Sequence, residues 1–408
     1  MEAMPDSPVV SKRHCVICNS SENRLLFRQS FSSLSNGSSL LSGYDVVVCS
    51  HCGFCFADQI PEQATFDAYY RDMSKYEKAE QAGQDTAYEQ ARFQKMANVI
   101  TRFLPSPKLR ILEIGCANGQ LLALIKKQGF ENVSGIDPSP VSAETARRYY
   151  DVKVTENTLS SVVMEDGTVD FLILAGVLEH VRELIPALGI LRRMLARDGK
   201  IFISVPDASR YAEGKDAPFQ EFSVEHINFF GSISLTNLFR ANGFRLVSIQ
   251  KDSISSNLRT TTPVIHAVLE KNEDSDAVGL ENDTETEAGL NLYISQSGQI
   301  DKHIQDAIEK IVSAGKPIII WGTGAHTLRL LATSALSRAS IRAFVDSNPR
   351  YQGKEINAVP IISPQVLTNY SEPILISSRV FQEEIVAQIT EQLGLKNPII
   401  KLYGDKGS

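Results

Sequence analysis

Four cysteines near the start of the chain form two closely spaced pairs. Cys15 and Cys18 are separated by two residues, as are Cys49 and Cys52, and a glycine follows the second pair. Four thiolates at this spacing can close a tetrahedral Zn²⁺ site that leaves no position open for water. The spacing therefore predicts a structural zinc site, with a set of buried free thiols as the alternative. Cys55 could replace Cys52, but it better fits a small apolar residue within a strand.

A second group of residues capable of chemistry lies where a predicted strand leads into a predicted helix. The chain reads Glu-Ile-Gly-Cys-Ala-Asn-Gly from Glu113 to Gly119. Glycine at positions 115 and 119 lets the backbone approach a ligand closely and leaves N–H groups of the helix free to meet it. Asp137 ends the next predicted strand, where an acid of a Rossmann-type sheet accepts hydrogen bonds from ribose hydroxyls. The loop reads G-x-x-x-G, whereas a nicotinamide-binding loop would read G-x-G-x-x-G.

A third candidate group follows the predicted fifth strand of the same sheet. Glu225 and His226 lie there among aromatic residues, in a region where substrate loops cover the carboxyl ends of the strands. An imidazole ordinarily titrates near neutral pH, so His226 is a candidate general base. The alternative is that His226 caps the following helix or anchors the loop. Glu179 and His180 end an earlier strand, and we expect them to shape the cofactor pocket.

These groups depend on a fold in which strands and helices alternate. The alternation runs from residue 109 to 270 and predicts a mostly parallel sheet with helices on both faces, so the fold class is α/β. An acidic stretch with almost no aromatic residues follows at 271–289. It fits a solvated linker or an exposed helix edge and indicates a boundary, beyond which the alternation resumes. The predicted organisation is a zinc-binding domain (1–60), a helical connector or substrate lid (61–104), a Rossmann-like core (105–270), an acidic linker (271–295) and a smaller Rossmann-like C-terminal domain (296–408).

Length and charge narrow the classes of function. The 408 residues, 43% of them hydrophobic, are enough for two or three domains with their own cores. A formal net charge of −7 disfavours nucleic acid as a main partner. The polar N-terminus is unlike a secretion signal, and no apolar window has the length of a membrane helix. We therefore expect a soluble, cytoplasmic protein of several domains.

Together, the glycine loop, the acid after the second strand and the Glu179-His180 strand ending resemble the motifs of class I S-adenosylmethionine-dependent methyltransferases. The resemblance implies that Gly115 and Gly119 line the methionine moiety of the cofactor and that Asp137 holds its ribose. It implies further cofactor-binding positions at Glu113, Cys116, Ile136, Pro138, Asn157 and Thr158. Ile136 or Pro138 would flank the adenine and Asn157 and Thr158 would meet its edge. Glu113 would organise the loop through water and backbone N–H groups.

The order of a four-cysteine region, a methyltransferase core and a Rossmann-like C-terminal region resembles the deoxysugar C-methyltransferases over essentially the whole chain. Local matches are residues 66–70 and 74–76, the Glu225-His226 pair and residues 255–259. The resemblance implies a nucleotide-linked 4-keto sugar as substrate. A base would remove the proton next to the ketone, and the enolate carbon would take the methyl group. The positions that match the family's sugar-contacting residues are Tyr76 and His226, with Glu225 orienting the base or the substrate.

The sequence also departs from that family. Val224 stands where the family has a histidine, and serines replace the two glycines before Asn257. The Gly322–His326 loop, with Asp346 at the end of the next strand, fits either a second nucleotide site or a retained scaffold. The alternatives for function are an O-methyltransferase of a sugar or other small molecule, a non-catalytic zinc-stapled cofactor-binding scaffold, and a protein or tRNA methyltransferase.

Overall fold

The computed structural model of the chain describes residues 10–33, 40–72, 87–214, 216–255, 261–272 and 279–404. These residues form three main sheets, here called the N-terminal, central and C-terminal sheets, together with a two-stranded pair.

The N-terminal sheet is antiparallel and lies between the other two. The first elements are β1 (Val10–Ser11), β2 (Asn23–Ser30), β3 (Gly43–Cys49), β4 (Cys55–Asp58), β5 (Ile60–Pro61), α1 (Gln63–Asp72) and α2 (Ala87–Ile100). All residues of β3 from Val46 to Cys49 are buried. Because alternate side chains of a strand point in opposite directions, both faces of the strand must be covered there. Val47 and Cys49 pack with the core of the central sheet, whereas Val46 and Val48 pack with the core of the C-terminal sheet.

The central sheet has seven strands in the order β12-β13-β10-β9-β6-β7-β8. Its elements are β6 (Ile111–Ile114), α3 (Gln120–Lys127), β7 (Val133–Asp137), α4 (Pro140–Tyr150), β8 (Lys153–Glu156), β9 (Val169–Ala175), α5 (Leu184–Met194), β10 (Leu195–Pro206), β12 (Phe244–Ser255) and β13 (Thr261–Lys271). The sheet is parallel except at β13, which is antiparallel to both neighbours. The predicted α/β class and Rossmann-like core are thus confirmed. The strand order reverses at β6, and such a point opens a crevice at the carboxyl ends of the strands.

One segment between β10 and β12 joins the N-terminal sheet instead. It contains β11 (Asn228–Phe229), which pairs with β4, and it leads into α6 (Ser232–Arg240). The predicted Glu225-His226 pair lies immediately before β11, so the edge of the N-terminal sheet holds it in place.

The last sheet has six strands in the order β16-β17-β15-β14-β18-β19. Its elements, with the helix before it, are α7 (Thr284–Ser313), β14 (Ile318–Trp321), α8 (Ala325–Thr333), β15 (Ile341–Val345), β16 (Glu355–Ile356), β17 (Val359–Ile362), β18 (Ile374–Ile376), α9 (Gln382–Ala387) and β19 (Ile399–Lys401). All adjacent pairs are parallel except β16 with β17. Within the described residues, no helix is long and apolar enough to cross a membrane.

The predicted acidic linker at 271–295 is helical in its second half, because α7 begins at Thr284, and this part agrees with the alternative of an exposed helix edge. Asp283 caps this helix by accepting a hydrogen bond from the Thr286 N–H at 3.0 Å. Glu285 and Glu287 lie in its first turn, where negative charge complements the helix dipole. Acidic residues that looked like a solvated linker are therefore helix-start residues. The backbone N–H of Asp283 also donates to the Cys52 carbonyl at 3.0 Å, so α7 starts against the cysteine cluster.

Candidate functional site

A cavity of about 510 Å³ lies at the point where the strand order of the central sheet reverses. Its walls come from the ends of β6, β7 and β9, from α1 and from the start of α5. The lining residues include Gln63, Asp67, Tyr70, Ile114, Gly115, Asp137, Pro138, Asn157, Thr158, Leu159, Ser160, Val177, His180, Ala187, Ile190 and Glu225. The volume suits a nucleoside-sized ligand, and the mixture of apolar walls with a few polar groups is typical of a cofactor site.

The glycine loop contributes backbone without a side chain to the wall of this cavity at Gly115. Gly115 has φ +70°, and a Cβ there would lie 2.7 Å from Cγ2 of Val177. Only glycine fits both the conformation and the space, so the chain can pass close to a ligand at this point. The following turn leads into α3, which begins at Gln120.

Asp137 lies at the end of β7 and forms part of the cavity wall. One carboxylate oxygen accepts a hydrogen bond from the Ala117 N–H at 2.8 Å, and the other accepts one from the Ser139 N–H at 3.0 Å. Burial raises the pKa of Asp137, while these two N–H groups act in the opposite direction. The carboxylate is thus held in one orientation, with further lone pairs available to ribose hydroxyls.

The other predicted cofactor positions divide into two groups. Pro138, Asn157 and Thr158 line the cavity beside Gly115 and Asp137. The cavity wall does not include Glu113, Cys116, Gly119 or Ile136. The Ile136 side chain packs in the core of the central sheet, whereas Pro138 faces the cavity. The Cys116 Sγ packs where a side chain at Gly135 would stand, 2.3 Å from an ideal Cβ at that position.

Glu113 is a buried carboxyl group next to the cofactor loop. It is 3% exposed, and its Oε2 has no hydrogen-bond partner within the described part of the chain. Burial, reinforced by the neighbouring charge of Asp137, raises the pKa of Glu113 to about 8. The side chain is therefore mostly protonated at neutral pH, and it supports the loop from inside the fold.

This pKa predicts how stability depends on pH. Between pH 5 and 8 the unfolded chain has lost the Glu113 proton while the folded chain keeps it, so the free energy of unfolding falls as the pH rises. In Glu113→Gln, the free energy of unfolding should fall by roughly 2–4 kcal/mol less than in wild type between pH 5 and 8. Denaturant unfolding at several pH values measures it, with the exposed Glu131→Gln as control. Parallel pH profiles for wild type and Glu113→Gln would contradict the assignment.

Helix α1 covers the cavity and is fastened at two places. The Gln63 Oε1 accepts hydrogen bonds from the N–H groups of Arg182 (2.8 Å) and Glu183 (3.1 Å), after β9. Asp67 accepts a hydrogen bond from the Ser160 hydroxyl at 2.6 Å, in the loop after β8. Sequence reasoning missed Gln63, Asp67 and Ser160 as site residues, because each contact joins residues at least 93 positions apart.

Polar side chains collect at the end of the cavity near β9 and β11. The Tyr69 hydroxyl donates to Oε1 of Glu225 at 3.1 Å. The Nδ1–H of His180 donates to the backbone carbonyl of Glu225 at 2.9 Å, and the Tyr70 hydroxyl lies 3.0 Å from the same nitrogen. The rings of His180 and His226 have centroids 5.1 Å apart. Tyr70, His180 and Glu225 thus line the cavity, and Tyr69 and His226 contact them from outside its wall. Together they form a group suited to hydrogen bonding and proton transfer.

Sequence reasoning predicted some members of this group and missed others. Glu225 and His226 are brought together with His180, whereas Tyr69 and Tyr70 were noticed only as part of a family match. Tyr76 lies outside the described residues, as does the match at 256–259. The ligand atoms of Glu179, His180 and His226 also lie within 4.8 Å of one another, close enough to hold a metal ion.

The two cysteine pairs meet in space. The Sγ atoms of Cys15 and Cys52 are 3.4 Å apart, as are those of Cys18 and Cys49, and all four lie within 4.8 Å of one another. The hydrogen bond from Cys52 is the main cause that lowers the pKa of Cys15. Four converging sulfurs are the donor set of a tetrahedral metal site. Cys55 is outside this group and lies buried in β4.

Comparisons with known proteins agree with the geometry. Residues 88–249 match a family described as a methyltransferase domain, and residues 315–400 match one described as C2185-like, N-terminal. The chain is 23% identical over 344 residues to C-methyltransferase NovU of Streptomyces niveus. The aligned region covers 81% of this chain and 78% of that protein.

Other similarities cover less of the chain. A probable S-adenosylmethionine-dependent methyltransferase of Mycobacterium tuberculosis (strain ATCC 25618 / H37Rv) is 27% identical over 165 residues, 39% of this chain and 58% of that protein. A solved structure of 1,6-didemethyltoxoflavin-N1-methyltransferase from Burkholderia thailandensis has a TM-score of 0.41 and 18% identity, covering 55% of this chain and 97% of that one. The matched methyltransferase domain and the methyltransferase relatives, in agreement with the cavity built on Gly115 and Asp137, show that the chain is an S-adenosylmethionine-dependent methyltransferase.

Proposed function

We propose that this methyltransferase acts on a sugar, most directly a nucleotide-linked 4-keto sugar, and methylates the carbon next to the ketone. The observation that carries the proposal is the polar group at the end of the cofactor cavity. Tyr69, Tyr70, His180, Glu225 and His226 offer donors and acceptors to a polyhydroxylated ligand, and His226 can take a proton. The similarity to a C-methyltransferase beyond the methyltransferase domain adds support.

Separate groups of residues would bind the cofactor, remove the substrate proton and exclude water. Gly115, Asp137, Pro138, Asn157 and Thr158 would hold S-adenosylmethionine, whose sulfonium supplies an electrophilic methyl group. His226 would remove the proton next to the ketone, and the resulting enolate carbon would form the new carbon–carbon bond. Helix α1 and the walls of the cavity would exclude water and hold carbon and methyl group in line.

Glu225 and Tyr69 would position this reaction. Glu225 is 7% exposed, and the hydrogen bond from Tyr69 fixes its carboxylate. Its backbone carbonyl fixes the ring of His180 at the same time. Tyr76, outside the described residues, stays a proposed substrate contact on the strength of the family match.

O-methylation is the second candidate for the same site. A hydroxyl nucleophile needs only a base, which His226 would also provide, whereas a carbon nucleophile needs an adjacent carbonyl. The match to a methyltransferase domain favours both over the non-catalytic scaffold.

We also propose that the four cysteines bind one structural Zn²⁺ and define an N-terminal zinc-binding domain. The sulfurs converge from two turns without a fifth donor from Cys55. The C-terminal sheet would form a separate Rossmann-like domain. There, Asp346 accepts N–H bonds on both oxygens, from Thr323 (3.1 Å) and Asn348 (2.8 Å), much as Asp137 does. It also accepts a bond from the Thr323 hydroxyl at 2.5 Å, which takes a lone pair that a ribose would use and so favours a scaffold over a second nucleotide site.

The experiment is a substrate panel with purified protein and S-adenosylmethionine. It compares nucleotide-linked 4-keto sugars with their 4-hydroxy counterparts, and mass spectrometry with fragmentation locates the added methyl group. We expect methylation on carbon with the keto sugars only. Methyl transfer to an oxygen of the hydroxy sugars would favour the second candidate, and no transfer to either class would contradict a sugar substrate.

Replacement of Asp137 tests the cofactor half of the proposal. Asn at this position would turn an amide NH₂ towards the Ala117 or Ser139 N–H, and it removes the charge that ribose hydroxyls would bond. A hydrogen bond to a charged group is worth about 1.5–3 kcal/mol, so Asp137→Asn should weaken S-adenosylmethionine binding about 10- to 100-fold. Calorimetry measures it, with the exposed Asp151→Asn as the matched control. Equal affinities would remove Asp137 from the cofactor site.

A further inference from the structure

Arg13 is a buried arginine two positions before Cys15, the first residue of the first cysteine pair. It is 5% exposed, and its guanidinium lies over the Phe56 ring, 5.2 Å from the centroid. Its Nη1 donates to the carbonyls of Ala57 (3.0 Å) and Ile227 (3.1 Å). Its Nη2 donates to Oδ1 of Asn228 (3.0 Å) and to the Arg182 carbonyl (3.3 Å).

These four acceptors belong to three different segments. Ala57 is in β4 of the N-terminal sheet, Ile227 and Asn228 follow the Glu225-His226 pair, and Arg182 follows the Glu179-His180 pair. One planar group with five donors therefore joins the cysteine region to both segments that carry the active-site imidazoles. A lysine has a single ammonium and could not reach all four acceptors.

The same segments are joined by a second set of bonds around Asn228. Its side-chain NH₂ donates to the carbonyls of Leu178 (2.8 Å) and Val181 (2.7 Å). The Ile227 N–H donates to the Glu179 carbonyl at 2.9 Å, and its carbonyl accepts from the Ala57 N–H at 2.9 Å. Residues 227 and 228 are thus placed by bonds to β4, to Arg13 and to the 178–182 loop, while Glu225 is also held by Tyr69 and Ser223.

We infer that Arg13 is a positioning residue of the active site, through which the four-cysteine cluster holds the segment bearing Glu225 and His226 in place for substrate. The role assigned to that segment rests on the proposed function. Arg13 does not line the cofactor cavity, so the inference predicts an effect on substrate chemistry and on the order of residues 225–229 without an effect on cofactor affinity.

The test compares wild type with Arg13→Lys and Arg13→Gln. Arg28→Lys is the control, because Arg28 is exposed on β2 and pairs with Asp45. We expect the Arg13 variants to keep their metal content and their S-adenosylmethionine affinity within about twofold. Amide hydrogen exchange at 225–229 should become about tenfold faster or more, with β6 unchanged. Imidazole NMR signals of His180 and His226 should shift, and those of His266 and His326 should not.

The activity readout is solvent deuterium incorporation into a thymidine-diphosphate-linked 4-keto-6-deoxy sugar with S-adenosylhomocysteine present. We expect an about tenfold or larger fall in kcat, with Arg13→Lys milder than Arg13→Gln. Wild-type protein that does not exchange this probe would contradict the proposed function, while amide exchange and imidazole signals would still test Arg13. Unchanged exchange at 225–229 in both variants would overturn the inference.

A second measurement covers variants that do not fold. Removing the metal from wild-type holoprotein with a chelator should accelerate amide exchange at 225–229 before it does so in β6. Acceleration that begins in β6, or equally in both, would overturn the inference.

Discussion

Replacing His226 with asparagine should lower the turnover of methyl transfer about 100- to 10,000-fold, the usual contribution of a general base. Asparagine keeps a polar side chain of similar reach but cannot accept a proton at neutral pH. His226 lies beside His180 outside the cavity wall, so S-adenosylmethionine affinity should stay within about twofold. Single-turnover kinetics with a nucleotide-linked 4-keto sugar, together with calorimetry of the cofactor, measures both quantities.

The matched control is His303→Asn, because His303 is exposed on α7. It should leave turnover unchanged. Turnover of His226→Asn within about threefold of wild type would remove His226 as the base. A fall in cofactor affinity as large as the fall in turnover would assign His226 a structural role instead.

Replacing Cys49 with serine should remove the bound zinc and destabilise the whole active site. The apparent binding free energy of a structural zinc site is about 10–16 kcal/mol, and it is available only to the folded state. Loss of one of four sulfurs would release the turns that carry Cys15 and Cys52, and with them the contacts to α7 and to the 225–229 segment. Elemental analysis and thermal unfolding measure the result: zinc content near zero and a markedly lower unfolding temperature.

Cys55→Ala is the control, since Cys55 is a buried cysteine outside the group of four. It should keep one zinc per chain. A wild-type ratio of zero, or full zinc retention in Cys49→Ser, would contradict the structural site. A ratio of two would place a second ion on Glu179, His180 and His226, and it would contradict the role of His226 as a base.

Sequence reasoning succeeded where the interacting residues are close along the chain. The cysteine pairs, the Gly115 loop and the strand-ending Asp137 are readable because a turn or a strand end fixes each of them locally. The spacing between the glycine loop and the end of the next strand correctly predicted that Asp137 lies in the cofactor cavity. The sequence did not reveal that the Ile136 side chain points into the core. Successive side chains of β7 point to opposite faces of the sheet, and the sequence does not say which face is covered at that position.

Residues that act through distant contacts left no local pattern. Arg13 reaches Asn228 across 215 positions, and Tyr69 reaches Glu225 across 156. The start of α7 was missed for another reason: its acidic residues resemble a linker until the cap formed by Asp283 is known. Composition alone cannot distinguish charge that complements a helix dipole from charge that keeps a segment solvated.

The most direct test of a sugar C-methyltransferase separates enolisation from methyl transfer. A thymidine-diphosphate-linked 4-keto-6-deoxy sugar is incubated in deuterated water with the protein and S-adenosylhomocysteine, and mass spectrometry follows deuterium next to the ketone. We expect wild type to exchange this proton, His226→Asn to abolish the exchange and His303→Asn to retain it. No exchange by wild type, or equal exchange by His226→Asn, would contradict it.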